Sequence, residues 1–181
     1  MDKMQSADIP ETMRVILGRR SCRAFQPDEI PQAHIDLLIE ALRWAPSAGN
    51  RQPWHFYLVK NAELKQKLVD AAYGQAFLAQ APLVFMICAM PEQSAARYRE
   101  RGRSLYVYQD TAIASENLML AATALGYGSC WMGAFDESRV SQVLALPPGQ
   151  RPVAIIPVGK PAENPEPPPR LDRKEVITIL E

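Results

Sequence analysis

Apolar positions recur along this chain with two different periods, and the changes between them predict its elements. The clearest helix covers about 32–45: Ile35, Leu38, Ile39 and Leu42 fall at i, i+3, i+4 and i+7, and Pro46 ends the run. Shorter helices are predicted at 11–18, stopped by Gly18, at 62–72, broken by Tyr73-Gly74-Gln75, and from Glu137 to Leu146. A long one is predicted over 104–125. There Ala112, Ile113, Leu118, Leu120, Ala121, Ala124 and Leu125 cover most of the circumference, which implies burial all round or at a subunit interface.

Three stretches read instead as strands. Trp54 to Val59 has the aromatic and β-branched content of one, and Leu83 to Cys88 is apolar on both faces, hence central and buried. Pro152 to Gly159 is the third, with Pro157 pointing to an edge or a bulge. Residues 130–135 read as a strand or extended loop, and 91–103, with Arg97, Arg99, Arg101 and Arg103 alternating, as a surface excursion or lid. Five prolines between 161 and 170 keep the tail extended, and Glu175 to Leu180 forms a last helical turn or strand. Helices and strands mix without regular alternation, and neither G-x-G-x-x-G nor G-x-x-x-x-G-K occurs. The predicted class is α+β, a single domain over 1–181.

Composition narrows the function. Lys plus Arg equals Asp plus Glu at 20 each, so the broad basic surface of a nucleic-acid binder is not expected. The start, Met1-Asp2-Lys3-Met4-Gln5, lacks the apolar core of a signal peptide, and the apolar run Leu83 to Met90 is far short of a membrane span. Cys22, Cys88 and Cys130 are odd in number and widely spaced, and only His34 and His55 could join them, so no zinc spacing can be drawn. These features predict a cytoplasmic protein, with no metal, membrane or nucleic-acid partner.

Against that neutral background one stretch concentrates charge: Arg19-Arg20-Ser21-Cys22-Arg23-Ala24-Phe25. A guanidinium donates two parallel hydrogen bonds and keeps its charge, which suits a phosphate. In an extended segment Arg19, Ser21 and Arg23 share one face, with Arg20 and Cys22 on the other. A second stretch, Pro46-Ser47-Ala48-Gly49-Asn50-Arg51-Gln52-Pro53-Trp54, places a hydroxyl, an Asn and a Gln on a proline-bounded loop, where amides can bond the edge of a heterocycle. Cys22 among arginines is expected to be acidic, but no His/Asn arrangement supports a cysteine hydrolase. His55 reads as a core or interface histidine, and Trp44 and Trp54 as core aromatics, with Trp131 the exception that could stack on a ring.

Those two stretches, followed by Gln109 to Leu118 and Gly126 to Asp136, resemble the FMN-dependent nitroreductase family, and the match runs in order from about residue 10 to the end. The resemblance implies a central mixed or antiparallel sheet flanked by helices. It also implies a homodimer whose tail reaches over the partner, with FMN at the interface. Carried over by position, Arg19 grips the phosphate, Ser21 sits beside it within the Arg19-Arg20-Ser21 run, and Arg23 faces N1 and O2 of the ring, where a fixed cation stabilises negative charge. Pro46, Ser47, Ala48, Asn50 and, on the same loop, Gln52 come from the partner subunit. Gln75 reaches the pyrimidine edge, and Trp131, Met132 and Gly133 pass along the ring. Arg170 is a second phosphate clamp, although Pro168 stands where relatives often carry lysine. The implied activity is hydride transfer from NADH or NADPH through FMN to a nitroaromatic, quinone or enone, ping-pong, without an obligatory acid or base. A non-catalytic flavin-binding or storage module, or a specialised flavin-degrading or dehalogenating member, are the alternatives.

Overall fold

The apolar run predicted as a central strand forms β2 (Leu83–Ala89), and all of it is buried. In the computed structural model, which describes residues 9–181, β2 lies between β1 (Trp54–Val59) and β4 (Arg151–Gly159), with β3 (Gly128–Ser129) beyond β4. All three pairings between these strands are antiparallel. The polar start Met1–Gln5 lies outside the described residues.

Burial of β2 follows from cover on both faces of the sheet. Val84, Met86 and Cys88 point one way, with Ile155 of β4, into a cluster completed by Leu68, Leu78 and Val140. Those three come from α3 (Ala62–Ala71), α4 (Phe77–Gln80) and α7 (Glu137–Val143). Leu83, Phe85 and Ile87 point the other way, onto Ile35, Leu38 and Leu42 of α2 (Gln32–Arg43) and Leu118 and Ala122 of α6 (Val107–Ala124). Alternate residues of one strand thus feed two cores, which is why no polar position survives in it. Asn61 and Asp136 start α3 and α7 by accepting the Leu64 and Arg139 N–H groups at 2.9 and 3.0 Å.

Pro157 corrects one expectation, because β4 is an interior strand and not an edge. The Ile155 N–H faces Met132, at 3.0 Å from its carbonyl oxygen, and Pro157, two residues on, faces the same side. On that side the ladder is interrupted: β3 stops at Ser129 and pairing resumes only in the Met132–Ile155 bridge. The missing N–H falls in the gap.

The 91–103 stretch, expected as a surface excursion or lid, is mostly helical. Pro91 opens α5 (Pro91–Arg101), as a first-turn proline can. Arg99 breaks the helix at φ 51°, ψ −135°, and the chain folds back. Gly102 makes that possible, since a Cβ there would lie 2.6 Å from the Ser94 carbonyl oxygen. A wide turn, Gly102–Tyr106, then leads into α6. Burial of α6 is one-sided: Leu118 is fully buried while Ile113 is 40% exposed. Trp44 also departs from expectation. It caps α2 at 80% exposure, its indole N–H on Glu40 at 3.1 Å.

After β4 the tail runs back along the arginine stretch. Gln26 and Ala162 donate to the Lys160 and Ala24 carbonyls at 2.9 and 2.8 Å, and Phe25 bridges Pro161. The tail closes with one helical turn, α8 (Arg173–Val176), started by a reciprocal Asp172–Glu175 capping box. Among the described residues no helix is long and apolar enough to cross a membrane.

Candidate functional site

The arginine stretch leaves helix α1 (Glu11–Gly18) and becomes extended. Ser21 pairs in parallel with Ser129, and the Cys22 N–H donates to the Ser129 carbonyl at 2.9 Å. Close approach depends on Gly128, where a Cβ would stand 2.7 Å from the Cys22 Cβ and 2.8 Å from its sulfur. With Cys22 locked inward, Arg19, Ser21 and Arg23 are presented outward, as alternation requires. They line a cavity of about 290 Å³ together with Arg20, Pro165, Glu166, Pro168 and Arg170. Arg20 lines it too, although it was expected on the other face. Its Nη1 is bound to the Leu17 and Arg19 carbonyls at 2.7 and 2.9 Å, so it caps α1 as well.

Four guanidiniums, one hydroxyl and one carboxylate give this wall a donor set suited to a dianion. Among the described residues Arg19 meets only a half-exposed Glu116 at 3.6 Å. Glu163 accepts the backbone N–H of Arg23 and leaves its guanidinium outside that contact. Pro168 lines the cavity in place of a cation, and Arg173, at the start of α8, is not among its walls. Cys22 departs from expectation: burial pushes its thiol up, with Glu163 adding to the rise and a hydrogen bond with the Ala24 backbone opposing it. It is inert packing rather than a thiolate. Cys130 is raised by burial as well, against the pull of Arg23 and Arg19, which places the 130–133 stretch beside the cationic wall.

Along that stretch Trp131 is 40% exposed and its indole nitrogen lies 3.6 Å from the position of a Gly133 Cβ, leaving the Gly133 backbone open. Met132 is different. Only 3% exposed, it exchanges both backbone hydrogen bonds with Ile155, so it anchors its neighbours from the core. Gln75 reaches toward the same region, but its Nε2 donates to the Ala72 and Ala134 carbonyls, both at 3.0 Å. His55 is exposed on β1, against Tyr57 at 4.7 Å between ring centroids, and not in the core.

The proline-bounded loop lies elsewhere. Pro46, Ser47 and Ala48 line a second cavity, about 550 Å³, with Tyr106, Gln109, Asp110, Ala112 and Ile113. Asn50 and Gln52 hold left-handed backbone at φ 52° and 50°, and the Ser47 hydroxyl accepts the Gln52 N–H at 2.9 Å. No residue lines both cavities, so one chain does not bring the two candidate stretches together.

The sequence pattern of the Nitroreductase family matches residues 16–76 and 71–160. This chain belongs to that family. A Methanothermobacter thermautotrophicus protein named with the NADH dehydrogenases/NAD(P)H nitroreductases is 35% identical over 167 residues, covering 90% of this chain and 82% of that one. The FMN reductase [NAD(P)H] of Bacillus subtilis is 27% identical over 179 residues, covering 92% and 72%. Among solved structures, the NADPH:FMN oxidoreductase of Vibrio harveyi complexed with NAD+ superposes with a TM-score of 0.87 at 25% identity, covering 95% of this chain and 78% of that one. The α+β fold and its antiparallel sheet are thus those of nitroreductases.

Asp110 and Tyr106 were missed as site residues. Asp110 had a legible signal: with Ala114, Leu118 and Ala122 it repeats every four positions along the buried face of α6.

Proposed function

We propose that this chain is an FMN-dependent oxidoreductase that uses NADH or NADPH to reduce a small organic acceptor such as a nitroaromatic, quinone or enone. The observation that carries this is the arginine-walled cavity of about 290 Å³, whose donor set suits a phosphate monoester. Family membership and relatives named for FMN and NAD(P)H support the same cofactors. FMN, when bound, supplies the hydride chemistry, taking a hydride from the nicotinamide and giving it to the acceptor.

The chain's own residues hold and shield. Arg19, Arg170 and the Ser21 hydroxyl bind the phosphate, with Arg20 fixing the end of α1 behind them. Arg23 supplies a fixed positive charge where negative charge develops on the ring. Trp131 and Gly133 flank the ring, Met132 holding them from the core. A cavity of about 290 Å³ is at the low end for a cofactor-sized ligand, so it takes the phosphate end. Pro46, Ser47, Ala48, Asn50 and Gln52 complete the ring site from the partner subunit of a homodimer. That arrangement accounts for two cavities without a shared residue, and for uncovered Leu37, Trp44, Ile113, Ile179 and Leu180. Both substrates use the same open face in turn, a ping-pong order that needs no acid or base side chain.

The whole chain is read as one FMN-binding domain, and its three free, buried cysteines suit a reducing cytoplasm. The test is titration with FMN followed by anaerobic NADH or NADPH. Bound flavin that bleaches and reoxidises with a nitroaromatic or quinone supports the proposal. Bound flavin that neither donor bleaches favours a binding module.

A further inference from the structure

The loop from Pro46 to Gln52 turns through left-handed backbone at three of its residues. Gly49, Asn50 and Gln52 all lie in the left-handed region, at φ 56°, 52° and 50°. Its internal bonds are local: Asn50 N–H to the Ser47 carbonyl at 2.9 Å, Arg51 N–H to the Ala48 carbonyl at 3.2 Å, and Gln52 N–H to the Ser47 hydroxyl at 2.9 Å. Two side chains hold it from outside. Gln93 of α5 donates to the Arg51 carbonyl at 2.7 Å, and Asp110 of α6 accepts the Ala48 N–H at 3.0 Å.

Asp110 is a costly choice for that contact. It is 4% exposed, and among the described residues its Oδ2 has no hydrogen-bond partner and no cation forms an ion pair with it. An uncompensated buried carboxyl is disfavoured, and an apolar residue would fit the face of α6 shared with Ala114 and Leu118. What the carboxylate provides there is one charge-assisted bond to a backbone N–H at the first residue of the Ala48–Asn50 turn. The same turn lines the 550 Å³ cavity.

We propose that Asp110 is the positioning residue of the 46–52 loop: its grip on the Ala48 N–H fixes the loop in the conformation that contacts the ligand. The link to flavin rests on the proposed function, whereas the grip on Ala48 does not. Gln93 then acts as the second, outer tether through the Arg51 carbonyl.

The experiment uses the full chain without added ligand and reads amide hydrogen exchange at Ala48, with Leu118 and Ile155 as core references, followed by FMN titration. Asp110→Ala is expected to lower Ala48 protection and FMN affinity by about tenfold or more, the loss that goes with a charge-assisted bond. Asp110→Asn keeps an acceptor oxygen and is expected to recover most of both. Ala48→Pro removes the donor from the other side. Ser47, at φ −139° and ψ 155°, already has the backbone a residue before proline needs. Combined with Asp110→Ala, it is expected to add nothing further to the loss of FMN affinity. Unchanged Ala48 protection in Asp110→Ala overturns the proposal, and so do losses that add in the double variant. Should wild-type Ala48 be protected by Asp110 while FMN does not bind, the positioning role stands and the flavin reading fails.

Discussion

Replacing Arg19 with alanine measures how much of the flavin's affinity comes from its phosphate. Among the described residues, the one ion pair Arg19 forms is with Glu116 at 3.6 Å, with side-chain exposures of 23% and 48%. Such a pair is worth about 0–1 kcal/mol, so little is lost from the fold when it goes. Toward a phosphate, on the proposed function, the same guanidinium would make charge-assisted bonds in a cavity shared with Arg23 and Arg170, each worth about 1.5–3 kcal/mol. A loss near 2 kcal/mol corresponds to about 30-fold weaker FMN binding. Riboflavin has the same ring and ribityl chain without the phosphate, so its affinity should hardly change. The assay is a pair of fluorescence titrations, FMN and riboflavin, on wild type and Arg19→Ala. If the substitution weakens riboflavin as much as FMN, or weakens neither, Arg19 does not bind the phosphate and the cationic wall has been misread.

Three further outcomes follow from the packing and the ionisation of the chain. Gly128→Ala puts a methyl 2.7 Å from the Cys22 Cβ and should cost about 1–3 kcal/mol in urea unfolding, with a concurrent loss of FMN affinity as Ser21 and Arg23 shift. Cys22→Gly removes both contacting atoms, so Gly128→Ala should cost markedly less in that background than in wild type, and an undiminished cost would show that the clash is not the cause. Leu38→Ala empties a fully buried position between α2 and the sheet and should cost about 2–5 kcal/mol, read by the same unfolding curves, and a loss under about 1 kcal/mol would contradict the packing. Burial raises Asp110 above its ordinary 3.8, so the folded state holds that proton more tightly than the unfolded one. Relative to Asp110→Asn, wild-type stability should therefore fall as pH rises from 3.8 through the raised value, and level off beyond it. A difference that grows with rising pH would reverse the sign and refute burial as the cause.

Much of this was legible in the sequence because the deciding forces were local. Ile35, Leu38 and Leu42 lie on one helical face, and that face is the one α2 buries. Leu83 to Cys88 carries no polar position because both faces of the sheet are covered. What escaped depends on partners distant along the chain. Pro157 looked like an edge signal, and only the interrupted pairing of β3 explains an interior proline. The 91–103 stretch read as a surface excursion or lid, and its helix, with the break at Arg99 and the fold back on Gly102, was not legible in the alternating arginines. Cys22 looked activated by arginines next to it in sequence, yet alternation turns its sulfur into the core and burial governs its acidity. Within the site, the outward face of Arg19, Ser21 and Arg23 was readable from period two. The meeting of Arg19 with Arg170 followed only from the family resemblance, because it depends on the tail pairing along 24–26, which no local period shows.

The most direct test of the central claim is the visible spectrum of the full-length protein, loaded with FMN and freed of excess by gel filtration, before and after anaerobic NADH or NADPH. The account predicts flavin absorbance that travels with the protein, bleaches with at least one donor, and returns when a nitroaromatic or quinone is added. Protein that emerges colourless after FMN loading would contradict it, reducing the four arginines around the 290 Å³ cavity to a solvated surface.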